Sequence, residues 1–341
     1  MKKILLAAPA LLLAGLGIAA AQNGSVESHV IAARRAAGEN FGGVLSALCP
    51  MDPSAQPPSG PTGRGVIPGA RGGAAAGRGA GPRPVPERSA WYARPYKAFD
   101  NLYFIGTKVH SAWALTTSQG IIVIDTLYDY AVEAEMVEGL KALKLDPAQV
   151  KYVLISHAHG DHDQGAALFQ SRYGAKVVMG AADWDLTATR TTYAGGIAKK
   201  DISVGPDGTR ITLGDTTVNV MLTPGHTQGT LSFLFPVRDG GKTLTVSYSG
   251  GTAFNFPRDV EHFNIYANTQ RKMADASAAA GATILMSNHS QWDGGYNNVR
   301  LAQMRDPGEA HPYEIGAEAV KSYYTMTENC ARAVAAQLAR K

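Results

Sequence analysis

Cysteine is scarce in this chain of 341 residues, because only Cys49 and Cys330 occur. Neither lies near the N-terminal segment that has the pattern of a cleaved leader, which argues against a lipid-anchored protein. In an exported protein, an even count permits a disulfide between the two. The alternative is a buried free thiol at Cys330, on the apolar face of a predicted C-terminal helix. The sequence leaves both possibilities open.

Long hydrophobic runs are also lacking beyond the first residues. A basic start precedes an apolar stretch from Ile4 to Ile18, and alanines 19–21 follow it. This pattern is typical of a secretory signal peptide over residues 1–21. Gly, Ala and Pro9 dilute the stretch, whose length is at the lower limit for crossing a bilayer, so a retained anchor is the less favoured alternative. We expect a periplasmic or secreted protein with no stable membrane insertion after signal cleavage.

The basic charge of the chain is concentrated in one tract. Residues 53–90 are rich in Pro, Gly, Ala and Arg, and their five arginines against one glutamate equal the +4 formal charge of the whole chain. The rest of the chain therefore has no net charge, which argues against nucleic acid as a partner. With so few large apolar residues, the tract is predicted to be a flexible linker, either a solvated spacer or a weak contact to an anionic envelope, and binding along a nucleic acid is the less favoured alternative. A helical segment, 22–52, is expected before it and the main domain, 91–341, after it.

Apolar periodicity indicates both helices and strands. We predict one amphipathic helix over 24–48, two hairpin-like pairs of strands over 91–126 and a helix over 131–145. Near the C-terminus, apolar residues at three- and four-residue steps predict the core-packed face of a helix: Ile315, Ala319, Tyr323, Met326, Cys330, Val334 and Leu338. This order of elements fits two stacked sheets flanked by helices.

The most informative segment places four possible metal ligands within six residues: His157, His159, Asp161 and His162. It follows a buried-strand pattern, 151–156, and precedes a predicted helix, 163–174, so the ligands lie on a loop at a rigid strand end. Imidazole and carboxylate together suit zinc, whereas calcium and magnesium prefer oxygen ligands. The alternative is a His-rich surface loop that binds adventitious metal.

Two further histidines favour a built metal site. His226 lies in a loop, 223–230, between two strand patterns, and His289 follows another strand pattern, 282–286. Three ligand loops, each at the end of an apolar strand, can converge at one edge of a sheet.

The chain thus resembles the metallo-β-lactamase superfamily, whose His-x-His-x-Asp-His motif matches residues 157–162. The resemblance extends from about Trp91 to the C-terminus and implies an α/β fold, an αββα sandwich of two β-sheets flanked by helices. It implies two Zn²⁺ ions per chain, the first bound by three histidines and the second by Asp and two histidines: His157, His159 and His226, then Asp161, His162 and His289. In the family a hydroxide oriented by Asp161 bridges the ions and attacks the substrate.

One position distinguishes members of the superfamily. Most relatives, including glyoxalase II, lactonases and RNA-processing nucleases, have there an Asp that bridges both metals, whereas this chain has Gly251. This pattern resembles the third subclass of metallo-β-lactamases, which uses only His and Asp ligands. The serines that hold the substrate carboxylate in that subclass are missing here, and Thr252 or Asn255 is the candidate replacement.

Other polar residues have expected roles outside the ligand set. Asp125 ends an apolar run and is predicted to brace the metal loop, with a turn cap as the alternative. His110 could border the pocket mouth, although a surface histidine is the favoured interpretation. The remaining histidines considered are expected to be solvated or structural: His29, His262 and His311.

These patterns predict an exported zinc-dependent hydrolase that opens β-lactam rings in a small-molecule substrate. A dizinc hydrolase of a lactone, ester or thioester is the alternative within the same class. A non-catalytic metal-binding envelope protein is the alternative outside it, and turnover distinguishes the two.

Overall fold

The apolar runs around the histidine loops form two β-sheets that pack face to face, with helices on both outer surfaces. The computed structural model describes residues 24–52, 85–190 and 193–340. The predicted αββα sandwich is confirmed. The predicted signal peptide, 1–21, and most of the predicted linker, 53–90, lie outside the described residues.

The first sheet has seven strands, which pair in chain order. They are β1 (Tyr96–Lys97), β2 (Leu102–Phe104), β3 (Trp113–Thr117), β4 (Gly120–Ile124), β5 (Val150–Leu154), β6 (Lys176–Gly180) and β7 (Ile202–Val204). Strands β1 to β4 pair antiparallel, as the two predicted hairpins require, and β4 to β7 pair in parallel. Parallel neighbours need long crossovers, so helical segments connect them.

The second sheet has five strands in the order β12, β11, β10, β9, β8. They are β8 (Thr209–Leu213), β9 (Thr216–Leu222), β10 (Leu231–Asp239), β11 (Lys242–Ser249) and β12 (Ile284–Ser287). All neighbours are antiparallel except β11 and β12. The strand patterns predicted beside His226 and His289 are therefore confirmed.

Strand β4 illustrates why the central strands have no polar face. Ile122 and Ile124 face the core between the sheets, while Ile121 and Val123 face the outer helices. Successive side chains of a strand alternate between its two faces, and both faces are covered here. The second sheet contributes large side chains such as Phe233 to the central core.

The N-terminal segment is two helices rather than the single predicted one. These are α1 (Val26–Ala37) and α2 (Gly42–Leu48). Gly38 follows α1 with a φ of +50° and donates its N–H to the Arg34 carbonyl oxygen, which ends the helix. The prediction was wrong because apolar spacing alone does not detect a left-handed turn.

Helices α3 to α8 lie around the first sheet: α3 (Arg88–Trp91), α4 (Asp129–Ala131), α5 (Glu138–Ala142), α6 (Gly160–Asp163), α7 (Ala166–Tyr173) and α8 (Ala181–Ala188). A π-helical segment, Val132–Val137, joins α4 to α5, and a short 3₁₀ helix, Pro147–Gln149, precedes β5. The predicted helix over 163–174 is instead the pair α6 and α7. They separate at Gly165, where an added Cβ would lie 2.5 Å from the Thr126 carbonyl oxygen.

Four further helices follow β11 in the chain: α9 (Val260–Ala279), α10 (Ser290–Asp293), α11 (Gly295–Ala302) and α12 (Ala317–Leu338). Helix α12 packs against both α9 and α1, and buried Tyr323 and Met326 fit the predicted core-facing stripe. Ile315 is exposed and precedes the helix. Cys49 and Cys330 form a disulfide, so the bridge is the correct alternative. Among the described residues, no helix has the length and apolar character needed to span a bilayer.

Candidate metal centre

Three loops at one edge of the sandwich bring the predicted ligands together. Strand β5 ends at Leu154, and the histidine motif follows on the loop and on α6. His226 lies between β9 and β10, and His289 lies two residues after the end of β12. The loops are joined, because the Leu231 N–H donates to the Ser156 carbonyl oxygen at 2.7 Å. The side chains therefore converge as the sequence suggested.

One group contains His157, His159 and His226, whose ligand nitrogens all lie within 4.8 Å of one another. His226 Nε2 is 3.2 Å from His159 Nδ1. His157 Nε2 is buried and has no hydrogen-bond partner among the described residues. A buried polar atom of this kind calls for a water or an ion in front of it. Three converging imidazole nitrogens fit a zinc ion.

Backbone carbonyls hold the opposite nitrogens of two of these rings. His157 Nδ1 donates to the Gly250 carbonyl oxygen at 2.8 Å, and His226 Nδ1 donates to the Ala253 carbonyl oxygen at 2.6 Å. Each bond keeps the ring proton on Nδ1 and leaves a lone pair on Nε2. Burial lowers the pKa of His157 well below its ordinary value, that of His159 to about 4 and that of His226 to about 3. At pH 7 the rings are neutral, which is the form that binds metal.

The second group is built around Asp161. Its Oδ2 atom lies 3.4 Å from His162 Nε2, 3.3 Å from His289 Nε2 and 3.5 Å from His110 Nε2. The Nε2 atoms of His162 and His289 are 3.1 Å apart. The three residues expected to bind a second ion are therefore adjacent. His110 lies with them, and its side chain is only 13% exposed, so the surface-histidine interpretation is wrong.

Charges within the second group stabilise each other. Burial lowers the pKa of His162, but the carboxylates of Asp161 and Asp125 outweigh burial and raise it to about 10. Burial raises the pKa of Asp161, but the neighbouring His162 outweighs it and holds that pKa well below its usual range. A divalent cation beside Asp161 would replace this imidazolium proton, so its uptake would release a proton.

Asp125 lies directly behind His162. Its buried carboxylate accepts hydrogen bonds from the Ser156 backbone N–H at 2.7 Å, the Ser156 hydroxyl at 2.9 Å and the Tyr248 hydroxyl at 3.2 Å. It also accepts from His162 Nδ1 at 3.1 Å, which leaves Nε2 free to face Asp161. The backbone of Asp125 has a φ of +59°, a conformation that Asp tolerates better than most residues. These contacts fit the predicted bracing role better than a turn cap.

Two positioning residues escaped the sequence analysis. Buried Asp183 accepts from the Ala158 N–H at 2.7 Å, the Gly229 N–H at 3.0 Å and the Thr227 hydroxyl at 2.7 Å. It therefore ties the loop of the histidine motif to the loop of His226. No local pattern marked this residue, which lies in the first turn of α8.

Asn288 is the second of these residues, and it immediately precedes His289. Its Nδ2 donates to the Gly250 carbonyl oxygen at 2.7 Å and to the Ser156 hydroxyl at 3.1 Å. It connects the end of β12 to the loop after β5. Its place beside a candidate ligand was the one signal that could have identified it.

The segment after β11 differs from the prediction. A Cβ added at Gly251 would lie 2.4 Å from the Cβ of His226, so a side chain does not fit there unless His226 moves. Thr252 is 1% exposed, and its hydroxyl lies 2.6 Å from the Tyr323 hydroxyl. The candidate substrate contact at Thr252 is therefore wrong, because that hydroxyl is enclosed in the core. Asn255 is exposed, and its role in substrate binding stays a prediction.

The other histidines lie outside both groups, as expected. His29 Nδ1 contacts the Asn329 side chain at 3.0 Å. His311 stacks on Phe99 with ring centroids 3.8 Å apart. His262 bonds to the carboxylate of Asp259, the N-cap of α9.

Comparison with known proteins relates this geometry to a family. The family model of the Metallo-beta-lactamase superfamily matches residues 105–240. A hydroxyacylglutathione hydrolase from Acidiphilium cryptum is 31% identical over 188 residues, which cover 54% of this chain and 68% of the relative. The N-acyl homoserine lactonase AttM from Agrobacterium fabrum is 33% identical over 109 residues, which cover 29% of this chain and 40% of the relative.

A solved structure with a similar fold is BJP-1, a subclass B3 metallo-beta-lactamase of Bradyrhizobium japonicum. It superposes with a TM-score of 0.61 at 27% identity, and the match covers 73% of this chain and 96% of BJP-1. The FEZ-1 metallo-beta-lactamase from Legionella gormanii has the same fold, with a TM-score of 0.59 at 22% identity over 68% of this chain and 91% of FEZ-1. The chain is therefore a hydrolase of the metallo-β-lactamase superfamily, with a fold like that of its subclass B3 members.

Proposed function

We propose that this chain is an exported dizinc hydrolase that opens β-lactam rings. The observation that carries the proposal is the pairing of two converging ligand groups with a glycine at the usual position of a bridging carboxylate. Gly251 offers no ligand, and His226 leaves no space for one. The second position is therefore completed by histidines, as in the subclass that the fold resembles. The likeness to BJP-1, at 27% identity over 96% of that chain, supports the same substrate class.

Zinc ions bound to the two groups would lower the pKa of a water molecule towards neutrality and polarise a carbonyl group. The residues of this chain bind and orient the ions. His157, His159 and His226 would hold the first, and Asp161, His162 and His289 the second. The carbonyl oxygens of Gly250 and Ala253 set the ring tautomers in the first group, and Asp125 sets that of His162.

Substrate binding is the part of the site with the fewest candidates. Thr252 is buried and Ala253 has no hydroxyl, so no hydroxyl of these two residues is open to a substrate carboxylate. Asn255 is the remaining candidate from this segment. We therefore expect high Michaelis constants for β-lactams, with the loss expressed in KM more than in kcat.

A lactone or thioester hydrolase is the second candidate function. It is favoured by the sequence relatives, which include a hydroxyacylglutathione hydrolase at 31% identity and an N-acyl homoserine lactonase at 33% identity. The absence of a side chain at Gly251 argues against it, because a bridging Asp is the expectation for those enzymes.

Export is supported by two features. Residues 1–21 have the pattern of a signal peptide, and the Cys49–Cys330 disulfide suits an oxidising compartment. Fractionation of the full chain expressed in a bacterial host tests this part. Accumulation in the cytoplasm with an intact N-terminus would contradict it.

Steady-state kinetics of the zinc-loaded mature chain test the proposed activity. A penicillin, a chromogenic cephalosporin and a carbapenem are compared with an acyl homoserine lactone and a hydroxyacylglutathione. We expect faster turnover of at least one β-lactam, its loss with a chelator or in His157→Ala, and its recovery with zinc. His262→Ala, a histidine outside both groups, is the matched control and is expected to retain activity.

Cleavage of the lactone or thioester with no turnover of any β-lactam would favour the second candidate function. No turnover of any substrate by fully loaded protein would favour a non-catalytic metal-binding role.

A further inference from the structure

His110 occupies a place in the second ligand group that the family motif does not assign. It precedes β3, far in sequence from the histidine motif, yet its ligand atom lies within 4.8 Å of those of Asp161 and His289. Its side chain is 13% exposed, close to the 15% of Asp161. It is therefore enclosed with the ligands rather than placed on the surface.

The backbone around His110 is attached to the His289 loop. The Ser111 N–H donates to the Asn288 carbonyl oxygen at 2.9 Å, and the Ser290 N–H donates to the Val109 carbonyl oxygen at 2.9 Å. His110 and His289 form an antiparallel bridge between these bonds. The position of the His110 ring is thus linked to that of His289.

A hydrogen-bonded turn at Thr107 also positions His110. The Thr107 hydroxyl oxygen accepts the His110 backbone N–H at 2.8 Å and lies 3.5 Å from His110 Nδ1. The ring also packs edge-on against Tyr128, with ring centroids 5.3 Å apart. These contacts direct His110 Nε2 towards Asp161.

Four of the six distances among the donor atoms of His110, Asp161, His162 and His289 are close to those of a tetrahedral zinc site, and the donor atoms of His110, Asp161 and His289 all lie within 4.8 Å of one another. In a tetrahedral zinc site with bonds of about 2.0 to 2.1 Å, neighbouring ligand atoms lie roughly 3.3 to 3.4 Å apart. Asp161 Oδ2 is 3.3 Å, 3.4 Å and 3.5 Å from the Nε2 atoms of three histidines, and two of those nitrogens are 3.1 Å apart. The four donors belong to His110, Asp161, His162 and His289.

We propose that His110 is a fourth protein ligand of the second metal position, which becomes a three-histidine, one-aspartate site. The assignment rests on the dimetal centre of the proposed function but not on its substrate. Four protein ligands would hold the second ion more tightly than three, and zinc can still accept a bridging hydroxide by becoming five-coordinate.

Stepwise metal titrations test the assignment. Metal-free wild type, His110→Ala and His110→Gln are titrated with zinc in competition with a chelating dye, with His262→Ala as the matched control. We expect two equivalents in wild type and in the control. In both His110 variants, we expect the affinity for the first ion to be unchanged and the affinity for the second ion to fall by about tenfold or more. Loss of a hydrogen-bond partner of a metal ligand already has an effect of this size, and loss of a ligand should have at least the same effect.

A second measurement uses the wild-type protein, so its result does not depend on whether a variant folds. In the cobalt-substituted protein, each ligating histidine contributes one paramagnetically shifted ring N–H resonance. The assignment predicts six such resonances, from His110, His157, His159, His162, His226 and His289. If His110 does not bind the metal, five shifted resonances are expected.

The possible outcomes distinguish the role of His110 from the existence of the dimetal centre. Two zinc equivalents in wild type, unchanged second-ion affinity in both variants and five shifted resonances would overturn the role of His110 and leave the dimetal centre intact. A single equivalent in wild type would overturn the dimetal centre and the His110 assignment together. A His110 variant that changes only KM or kcat, with normal metal affinity, would identify a substrate contact and refute ligation.

Discussion

Replacement of Asp125 by Asn is the sharpest test of how the second group is oriented. The side chain keeps its size, and Asn tolerates the left-handed backbone at φ +59° as well as Asp does. One carboxylate oxygen, Oδ2, accepts the hydrogen bonds from the Ser156 hydroxyl, His162 Nδ1 and the Tyr248 hydroxyl. In the variant, an amide NH₂ group faces these three donors while the other oxygen keeps the Ser156 backbone N–H.

The three donors differ in how they can adapt. The hydroxyls of Ser156 and Tyr248 can rotate and accept a hydrogen bond from the new amide, but the ring of His162 can accept one only by moving its proton from Nδ1 to Nε2. That tautomer has no lone pair for a metal beside Asp161. Loss of a carboxylate that accepts a hydrogen bond from a metal-binding histidine lowers metal affinity by about tenfold to a hundredfold, or roughly 1.4 to 2.7 kcal/mol.

Zinc titration with a competing chelator measures this effect. We expect the second-ion affinity of Asp125→Asn to fall by this amount while the first-ion affinity changes little, because Asp125 bonds to no ligand of the first group. Asp215→Asn, an exposed carboxylate paired with Arg238, serves as the control. An equal loss at both positions, or no loss at either, would refute the argument that Asp125 acts through the tautomer of His162.

Three further predictions follow from other parts of the structure. Gly251→Asp should abolish first-ion binding in a zinc titration, because its Cβ would lie 2.4 Å from that of His226; a variant that binds both ions and merely changes substrate would contradict this. Burial raises the pKa of Glu135 to about 8 in the folded protein. As the pH rises from about 4.5 to 8, the carboxyl group ionises in the unfolded chain but stays protonated in the folded one, so the free energy of unfolding falls. Metal-free Glu135→Gln should therefore be more stable than wild type at pH 8 by about 4 kcal/mol, which is seen as a higher melting temperature, with little difference near pH 4.5. A difference that does not depend on pH would exclude this cause. Reduction of the Cys49–Cys330 disulfide, which spans 281 residues, should lower the free energy of unfolding by about 2 to 4 kcal/mol in a denaturant titration, and an unchanged midpoint would show that the bridge adds no stability.

Local patterns were sufficient for the strands and for the central ligands. The apolar runs beside the histidine motif, His226 and His289 are β5, β9 and β12 in the structure. Such runs are recognisable because the positions that a strand buries are apolar: β12 is buried along its whole length, while β5 and β9 have the exposed polar residues Lys151 and Asn219 only between buried ones. The ligand loops follow from the same fact, since a loop that leaves a buried strand must start at the edge of its sheet.

Helix boundaries were less reliable than strands. The breaks at Gly38 and Gly165 depend on a left-handed turn and on a close approach to Thr126, and apolar spacing reports neither. The same spacing continues across both breaks, so each pair of helices was read as one.

Only the tertiary structure identified the residues that act across long separations in the chain. His110 and Asp183 have no ligand-like neighbours in sequence, yet one meets Asp161 and the other ties two metal loops together. Thr252 shows the converse, because its proximity in sequence to Gly251 suggested a substrate contact while its hydroxyl is buried against Tyr323. The amino-acid sequence determines which segments become strands and which residue types can bind a metal. The direction in which each side chain points depends on how the two sheets and their helices pack, and that packing is set by contacts between residues far apart in the chain.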